Sequence, residues 1–368
     1  MQVLIVVTHL LGTGHLARAL TLGRAFAAAG HSVRIASGGA PAPQLEAAGL
    51  DLVQLPPLRS DGTAFTRLLD ASGALAGEAC FAARQGALLN TLDPAPDVLI
   101  TELFPFGRRV LRREFLALLE AAHALPRRPL VLCSIRDILA PPSKPERAAQ
   151  TADWVARYYD AVLVHSDPAV TPLEASWPVP DTLRPALRYT GFVAPPAPVP
   201  HPQGAGRGEV LVSVGGGPVG APLLAAAAEA ARGDGRTWRL LTNAPPADLP
   251  PNVIAEPPRT DFRSLLPHAA ASVSLCGYNT ALDVLQSGCP AVVMPFDAGG
   301  ETEQTLRAEA LARLPGIALL RGSELTPARL LEAVATVADA PRRAPAATGF
   351  AGAARSVEIA ERMRGAQA

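Results

Sequence analysis

The sequence predicts an α/β protein of two doubly wound parallel-sheet domains, and three observations carry that prediction. Short apolar runs without polar alternation, suited to strands covered on both faces, alternate with longer helical stretches. That pattern is interrupted by the Pro/Gly-rich stretch APPAPVPHPQGAGRG (194–208), after which it restarts. The chain has 368 residues, 49% of them apolar, which is more than one ordinary core and ample for two.

The first strand is VLIVV (3–7), and a helix is expected from Gly14 to Ala29. SVRIAS (32–37) and DLVQL (51–55) follow as strands, then a long Ala/Leu-rich region (64–92). DVLIT (97–101), a helix over 109–124, PLVLCSI (129–135) and AVLVHS (161–166) complete the first half. The second half reads EVLVSV (209–214), a helix over 221–232, WRLLTN (238–243), ASVSL (271–275), a helix over 279–287 and PAVVMPF (290–296). Strand–helix alternation implies right-handed crossovers. The expected boundaries are an N-terminal domain 1–193, a linker 194–208, a second domain 209–348, and a segment 349–368 whose helix (about 350–364) has room to fold back on the first domain. Ligands of such sheets bind at the carboxyl ends of the strands, and two such domains face to face form a cleft.

Composition removes several function classes. The formal net charge is zero, against the basic face of a nucleic-acid binder. Lys144 is the sole lysine among the basic residues, which reflects base composition of the gene rather than function. Cys80, Cys133, Cys276 and Cys289 form no CxxC pair, so neither a disulfide framework nor a zinc site is expected. The chain opens directly into a strand, and no run of about 18 apolar residues lacks charge or proline. The expected location is the cytoplasm, with peripheral membrane contact left open.

Two glycine-rich turns follow strands. Gly12-Thr-Gly14-His-Leu-Ala17 formally matches a dinucleotide fingerprint, but the second strand ends Ile35-Ala36-Ser37-Gly38 without the acid that would take a ribose diol. His15 falls at the start of the helix, where the dipole disfavours the imidazolium and leaves a ring able to accept a proton. Gly215-Gly216-Gly217 repeats the arrangement in the second half and suits a diphosphate.

The most informative stretch is LCGYNTALDVLQSGCPAVVMPFDAGGETEQTLRAEAL (275–311). Gly277 turns the chain, Asn279 can cap the helix carrying Asp283, and a glycine pair ending at Gly300 leads to Glu301, Glu303 and Gln304. Helix N-termini at neighbouring strand ends offer amides for phosphate, and the carboxylates suit sugar hydroxyls.

This segment resembles the donor-binding region of GT-B glycosyltransferases, whose architecture is two Rossmann-like doubly wound domains facing a cleft. It is most similar to the family that includes the peptidoglycan lipid-intermediate N-acetylglucosaminyltransferase. That family's pattern is a glycine turn, a T-x-x-E helix, G-x-P, a strand ending P-F, and acid-x-Q-Q. Here it reads Gly277-Tyr278-Asn279-Thr280-Ala281-Leu282-Asp283, Gly288-Cys289-Pro290, Pro295-Phe296 and Glu301-Thr302-Glu303-Gln304. The resemblance implies a nucleotide-sugar donor, UDP-linked, with no separate cofactor. It puts Asp283 on the ribose, Asn279 and Thr280 near the diphosphate, and Glu303 and Gln304 near the sugar. Asp283 stands where the family has Glu, and Glu303 where it has Gln, so the donor sugar is not carried over. The motifs DVLITELFPFGRR, SIRDIL, VLVHSDP and GYNT resemble a group of predicted glycosyltransferases.

Transfer needs a base for the acceptor hydroxyl and stabilisation of the leaving diphosphate. The base candidates are His15, Glu102 and Asp137, in that order, each at a strand's carboxyl end. Arg136 and His165 with Asp167 decorate further strand ends. No DxD metal motif is present. The expected function is metal-independent, inverting sugar transfer to an unidentified acceptor. Alternatives are a nucleotide-sugar hydrolase or epimerase on the same fold, and an NADP-dependent oxidoreductase.

Overall fold

The structure, a computed structural model, describes every residue except Glu46, 63–66, 215–219, 297–301 and Ala368. The chain divides into two compact units, Met1–Ala194 together with Gly349–Ala368, and Pro195–Thr348.

The first unit is built on β1 (Gln2–Val7), β2 (Ser32–Gly39), β3 (Asp51–Ser60), β4 (Leu68–Leu69), β5 (Val98–Glu102), β6 (Leu130–Arg136), β7 (Ala161–His165) and β8 (Leu187–Tyr189). They form an eight-stranded sheet in the order β4-β3-β2-β1-β5-β6-β7-β8. Pairing is parallel except for the β3–β4 edge. Helices α1 (Gly14–Ala28), α2 (Glu78–Asn90), α3 (Arg112–His123) and α4 (Pro145–Tyr158), with the C-terminal helix Gly352–Gln367, cover both faces. Along β1, Val3, Ile5 and Val7 meet α1 and the C-terminal helix, while Leu4 and Val6 enter the core that includes Leu88 of α2, Phe115 of α3 and Val155 of α4. Both sides of the strand are buried, so the run is uninterruptedly apolar. A side chain at Gly23 would put its Cβ 2.9 Å from the Ile35 side chain, which is how α1 lies so close on β2. Gly30 then stops α1 in a left-handed conformation, with His31 N–H donating to Phe26 O at 3.1 Å.

A buried ion pair between α2 and α3 braces this unit. Arg84 of α2, fully buried, donates to Glu114 of α3 at 3.0 and 2.8 Å, to Gly38 O at 2.9 Å and to Pro56 O. Breaking a buried pair on one side costs about 3–5 kcal/mol. The guanidinium also fills the space past β2: a Cβ on Gly38 would lie 2.6 Å from Arg84 Nη2 and 2.3 Å from Thr8 Oγ1.

The second unit contains β9 (Val210–Ser213), β10 (Trp238–Leu241), β11 (Val253–Glu256), β12 (Ala271–Leu275), β13 (Ala291–Met294) and β14 (Ile317–Leu319). Its six-stranded parallel sheet runs β11-β10-β9-β12-β13-β14, the doubly wound 3-2-1-4-5-6 order. Helices α5 (Ala221–Ala231), α6 (Phe262–Leu265), α7 (Tyr278–Ser287), α8 (Glu303–Leu311) and α9 (Pro327–Asp339) accompany it. Fully buried Trp238 packs with Leu223 and Ala227 of α5 and Leu330 and Val334 of α9.

The stretch 194–208, expected as a linker, is held to the second unit from residue 195 onward. His201 N–H donates to Ser264 O and Gly208 N–H to His268 O, each at 2.9 Å, and Arg263 donates to Pro196 O at 2.8 Å. Proline-rich composition removes periodicity without removing backbone acceptors, and those acceptors are what the unit uses.

Candidate active site

In each sheet the strand order reverses at one point, β1/β5 in the first unit and β9/β12 in the second, and loops leave these points in opposite directions. The sequence places its polar residues at both.

In the first unit, Thr13 is the N-cap of α1 and His15 its second residue. Glu102 is the last residue of β5. His15 Nδ1 lies 2.9 Å from Glu102 Oε1. The carboxylate is 1% exposed, while the imidazole keeps 14%, so the ring bridges the interior and the solvent. Arg18, one helical turn after His15, is buried and donates to the same Glu102 oxygen. Ser134 of β6 donates to the other carboxylate oxygen, Oε2, at 2.6 Å. Behind it, His165 Nε2 lies 2.9 Å from Ser134 Oγ, and His165 Nδ1 lies 2.8 Å from Thr190 Oγ1. One polar chain thus crosses the carboxyl ends of β5, β6 and β7.

The charges follow from these contacts. Burial alone would raise the Glu102 carboxyl, but Arg18 and the His15 hydrogen bond outweigh it and hold it well below the carboxylate range. Burial pushes His15 down to about 3, helped by Arg108 and Arg136 and opposed by Glu102. Burial pushes His165 to about 3 as well, with Arg18 adding to it. Both rings are neutral at pH 7. Arg108 itself sits in left-handed backbone at φ 58°, and Leu103 at 71°. Two non-glycine residues in that region so close to Glu102 mark a strained turn.

A stability prediction follows. Unfolded, both histidines protonate near the ordinary 6.5; folded, they do so only near 3. Between these values the unfolded chain binds more protons, so stability falls as pH drops. Urea midpoints are expected to decline across that window. His165→Gln is expected to flatten the decline by about one proton, whereas an unchanged slope would contradict a neutral buried His165.

Asp137, the third base candidate, is buried immediately after β6. Asp167 is spent locally, accepting from Ala169 N–H at 2.9 Å. Among the described residues no group of three His, Cys, Asp or Glu is placed to hold a metal ion.

In the second unit, Gly277 is the N-cap of α7 in extended backbone at φ −68°. Among the described residues a Cβ there would meet nothing within 4 Å, and the same holds at Gly12 ahead of α1. Neither the backbone nor the packing demands glycine at 277. The missing side chain leaves the helix N-terminus open to close approach, where first-turn amides favour an anion. Tyr278 is buried, and Asn279 and Thr280 are half-buried on the first turn. Asn279, expected as the cap, is the second residue of the helix; the extended residue before the helix is Gly277, and no side chain caps it.

Asp283 lies one turn further in, with its side chain 13% exposed. Arg263 Nε donates to its Oδ1 at 2.7 Å, and Arg263 Nη2 to Gln286 Oε1 at 2.7 Å. Burial raises the Asp283 carboxyl against the opposing Arg263. Arg263 takes one carboxylate oxygen and fixes the plane of the group. Glu303, the first residue of α8, is buried, where the helix dipole suits a carboxylate. Gln304 Oε1 accepts from Phe296 N–H at 3.1 Å and so ties α8 to the chain two residues past β13. Arg307, buried one turn on, donates to Cys276 O at 3.1 Å and lies 5.9 Å from the Tyr278 ring centroid. It ties the head of α7 to α8. Gly14 is the first residue of α1. Gly215, Gly216, Gly217, Gly300 and Glu301 lie outside the described residues.

Sequence reasoning did not single out Arg18, Ser134, Arg263, Gln286 or Arg307. Arg18 falls at i+3 from His15, a spacing that places the two on the same helix face. Nothing in sequence spacing joins Arg263 to Asp283.

Residues 251–363 match the glycosyltransferase family 28 C-terminal domain. Over 84 residues the chain is 32% identical to the UDP-N-acetylglucosamine–N-acetylmuramyl-(pentapeptide) pyrophosphoryl-undecaprenol N-acetylglucosamine transferase of Thermotoga neapolitana, a match spanning 23% of this chain and a quarter (25%) of that one. The spinosyn forosaminyltransferase SpnP superposes with a TM-score of 0.62 at 19% identity, covering 98% of this chain and 95% of its own. The spinosyn rhamnosyltransferase SpnG, complexed with thymidine diphosphate, does so with a TM-score of 0.59 at 20% identity and 100% coverage of both. Among the described residues no helix is long and apolar enough to cross a membrane. The chain therefore has the fold of the GT-B glycosyltransferases, and its residues 251–363, which run from the second unit into the C-terminal helix, match the family 28 C-terminal domain.

Proposed function

We propose that the protein transfers a sugar from a nucleoside diphosphate sugar to a hydroxyl-bearing acceptor, with inversion. The observation that carries the proposal is the pairing of an unobstructed helix N-terminus at Gly277 with a positioned carboxylate, Asp283, one turn behind it. That arrangement suits a diphosphate on the first-turn amides and a ribose on the carboxylate. Glu303 and Gln304 are assigned to the sugar, together with Gly300 and Glu301. Gly215, Gly216 and Gly217, which follow β9, are assigned to the diphosphate. UDP is the proposed nucleotide from the family 28 resemblance, and thymidine diphosphate is the competitor to test.

In the reaction, the acceptor hydroxyl gives its proton to His15 Nε2 while its oxygen forms the bond to the anomeric carbon. The bond from that carbon to the diphosphate oxygen breaks, and its electron pair leaves with the diphosphate. Glu102 accepts the Nδ1–H of His15 and stabilises the imidazolium that forms. The α7 N-terminus stabilises the departing negative charge, without calling on a metal ion. An oxidoreductase reading is disfavoured by Arg84, which fills the end of β2 where a dinucleotide ribose would be held. We place the reaction in the cytoplasm, where free cysteines persist; all four cysteines here are free.

The test is mass spectrometry of the intact protein's reaction with UDP- and dTDP-sugars and a panel of polyol, phosphorylated and lipid-linked acceptors. The expected result is an acceptor heavier by one sugar, with equimolar nucleoside diphosphate. Rapid donor consumption that needs no acceptor would replace transfer by hydrolysis or epimerisation.

A further inference from the structure

We propose that Ser134 and His165 are positioning residues that fix which nitrogen of His15 carries its proton. The inference rests on the assignment of His15 as the base and reaches residues that touch no substrate. It follows from counting protons along the chain Thr190–His165–Ser134–Glu102–His15.

Glu102 is ionised and only accepts. Ser134 has one hydroxyl proton and lies 2.6 Å from the carboxylate, its strongest acceptor, so it donates there. Its oxygen can then only accept from His165 Nε2 at 2.9 Å. A neutral His165 therefore carries its proton on Nε2, and its bare Nδ1 accepts from the Thr190 hydroxyl at 2.8 Å. In the opposite tautomer Nδ1–H would donate to Thr190, which would pass its own proton to Gly191 O at 2.7 Å. Nε2 and Ser134 Oγ would then face each other lone pair to lone pair, fully buried. That cost decides for the Nε2–H form.

The consequence falls on His15. With Ser134 donating to Oε2 and Arg18 donating to Glu102, the carboxylate is fixed in position and its Oε1 faces His15 Nδ1. His15 must donate through Nδ1–H and present Nε2 as the basic nitrogen. The Arg18 Nη2 contact with Nδ1, at 3.2 Å, is then two donors converging on one oxygen rather than a hydrogen bond between them. Among the described residues, the charged groups facing His15 include Glu102 of β5, Arg108 of the following turn and Arg136 of β6, with Arg18 on its own helix. Those facing His165 are Arg18 and Glu102. Removing the serine hydroxyl frees the carboxylate to rotate and loosens the tautomer.

The experiment is ¹⁵N NMR of the imidazoles in the full chain without ligand at pH 7, followed by kinetics. Expected in the native protein are a neutral His165 protonated at Nε2 and a neutral His15 protonated at Nδ1. Ser134→Ala and His165→Leu are expected to give mixed His15 tautomers. Their kcat is expected to fall about 10–100-fold, with KM within about twofold and the acid limb of the pH profile displaced. His165→Gln, whose amide keeps a donor at the Nε2 position, is expected to restore kcat. A native His165 protonated at Nδ1 overturns the proposal without any variant having to fold. So does an unchanged His15 tautomer in Ser134→Ala and His165→Leu, when His15→Ala has lost turnover. If instead the tautomers respond as expected but His15→Ala turns over normally, the relay stands and the base assignment falls.

Discussion

His15→Ala is expected to lower kcat by about 10²–10⁴-fold, the range for loss of a general base, with donor KM little changed. Among the three base candidates, His15 combines partial exposure with a hydrogen bond to a buried carboxylate. Glu102 is 1% exposed and surrounded by donors, so it has no reason to take a proton. Its Gln variant would strand buried Arg18, costing stability of about 3–5 kcal/mol, and would report folding as much as catalysis. His15 is neutral in the folded protein, so its removal leaves no uncompensated charge. Asp137→Asn is expected to reduce kcat by less than about tenfold. Steady-state kinetics on the variants, with melting temperatures alongside, check the ranking; a larger loss in Asp137→Asn than in His15→Ala reverses it.

The second large effect is on nucleotide binding. Asp283→Asn is expected to weaken nucleoside diphosphate affinity about 10–100-fold, as the loss of a charge-assisted hydrogen bond of about 1.5–3 kcal/mol implies. The amide retains size, and its oxygen can still accept from Arg263, so the fold is expected to survive. Arg263 has two further acceptors, Gln286 Oε1 and Pro196 O, which limits the damage from its lost partner. Arg263→Lys is expected to weaken binding less, because a single ammonium replaces the fork that orients the carboxylate. Thermal-shift titration of the full chain with UDP and dTDP measures both variants.

Much of this architecture was legible because central parallel strands are buried on both faces. Val3–Val7 reads as an unbroken apolar run for that reason, and Leu130–Ile135 is interrupted only by Ser134. Strands β8, β11 and β14 carry no such signal in the sequence: each is an edge strand of three or four residues with half-exposed positions. An edge strand needs little hydrophobicity, since one side faces no partner. Helices α4 and α9 are weakly marked in the sequence because polar residues cover their outer faces and dilute the apolar stripe.

The site shows the same division. Glu102 ends a strand, and His15 and Asp283 lie in the first and second turns of helices that follow strands, a placement that motif and pattern disclose. Arg18 lies on the helix face of His15, but a lone arginine at that spacing looks like any surface residue, and Arg307 meets Cys276 O and Tyr278 only once the sheet has formed. Arg263 reaches Asp283 from a four-residue helix 20 positions upstream, a contact only the folded sheet creates. Ser134 lies within an apolar run, where its hydroxyl is indistinguishable from a tolerated core serine until Glu102 and His165 are seen on either side.

The central claim is that Asp283 holds the ribose of a bound nucleoside diphosphate. Calorimetric titration of UDP and 2′,3′-dideoxy-UDP into the native protein and Asp283→Asn tests it most directly, as a thermodynamic cycle. The account predicts that deleting the ribose hydroxyls weakens binding about 10–100-fold in the native protein and hardly at all in the variant. An equal loss in both proteins would contradict it.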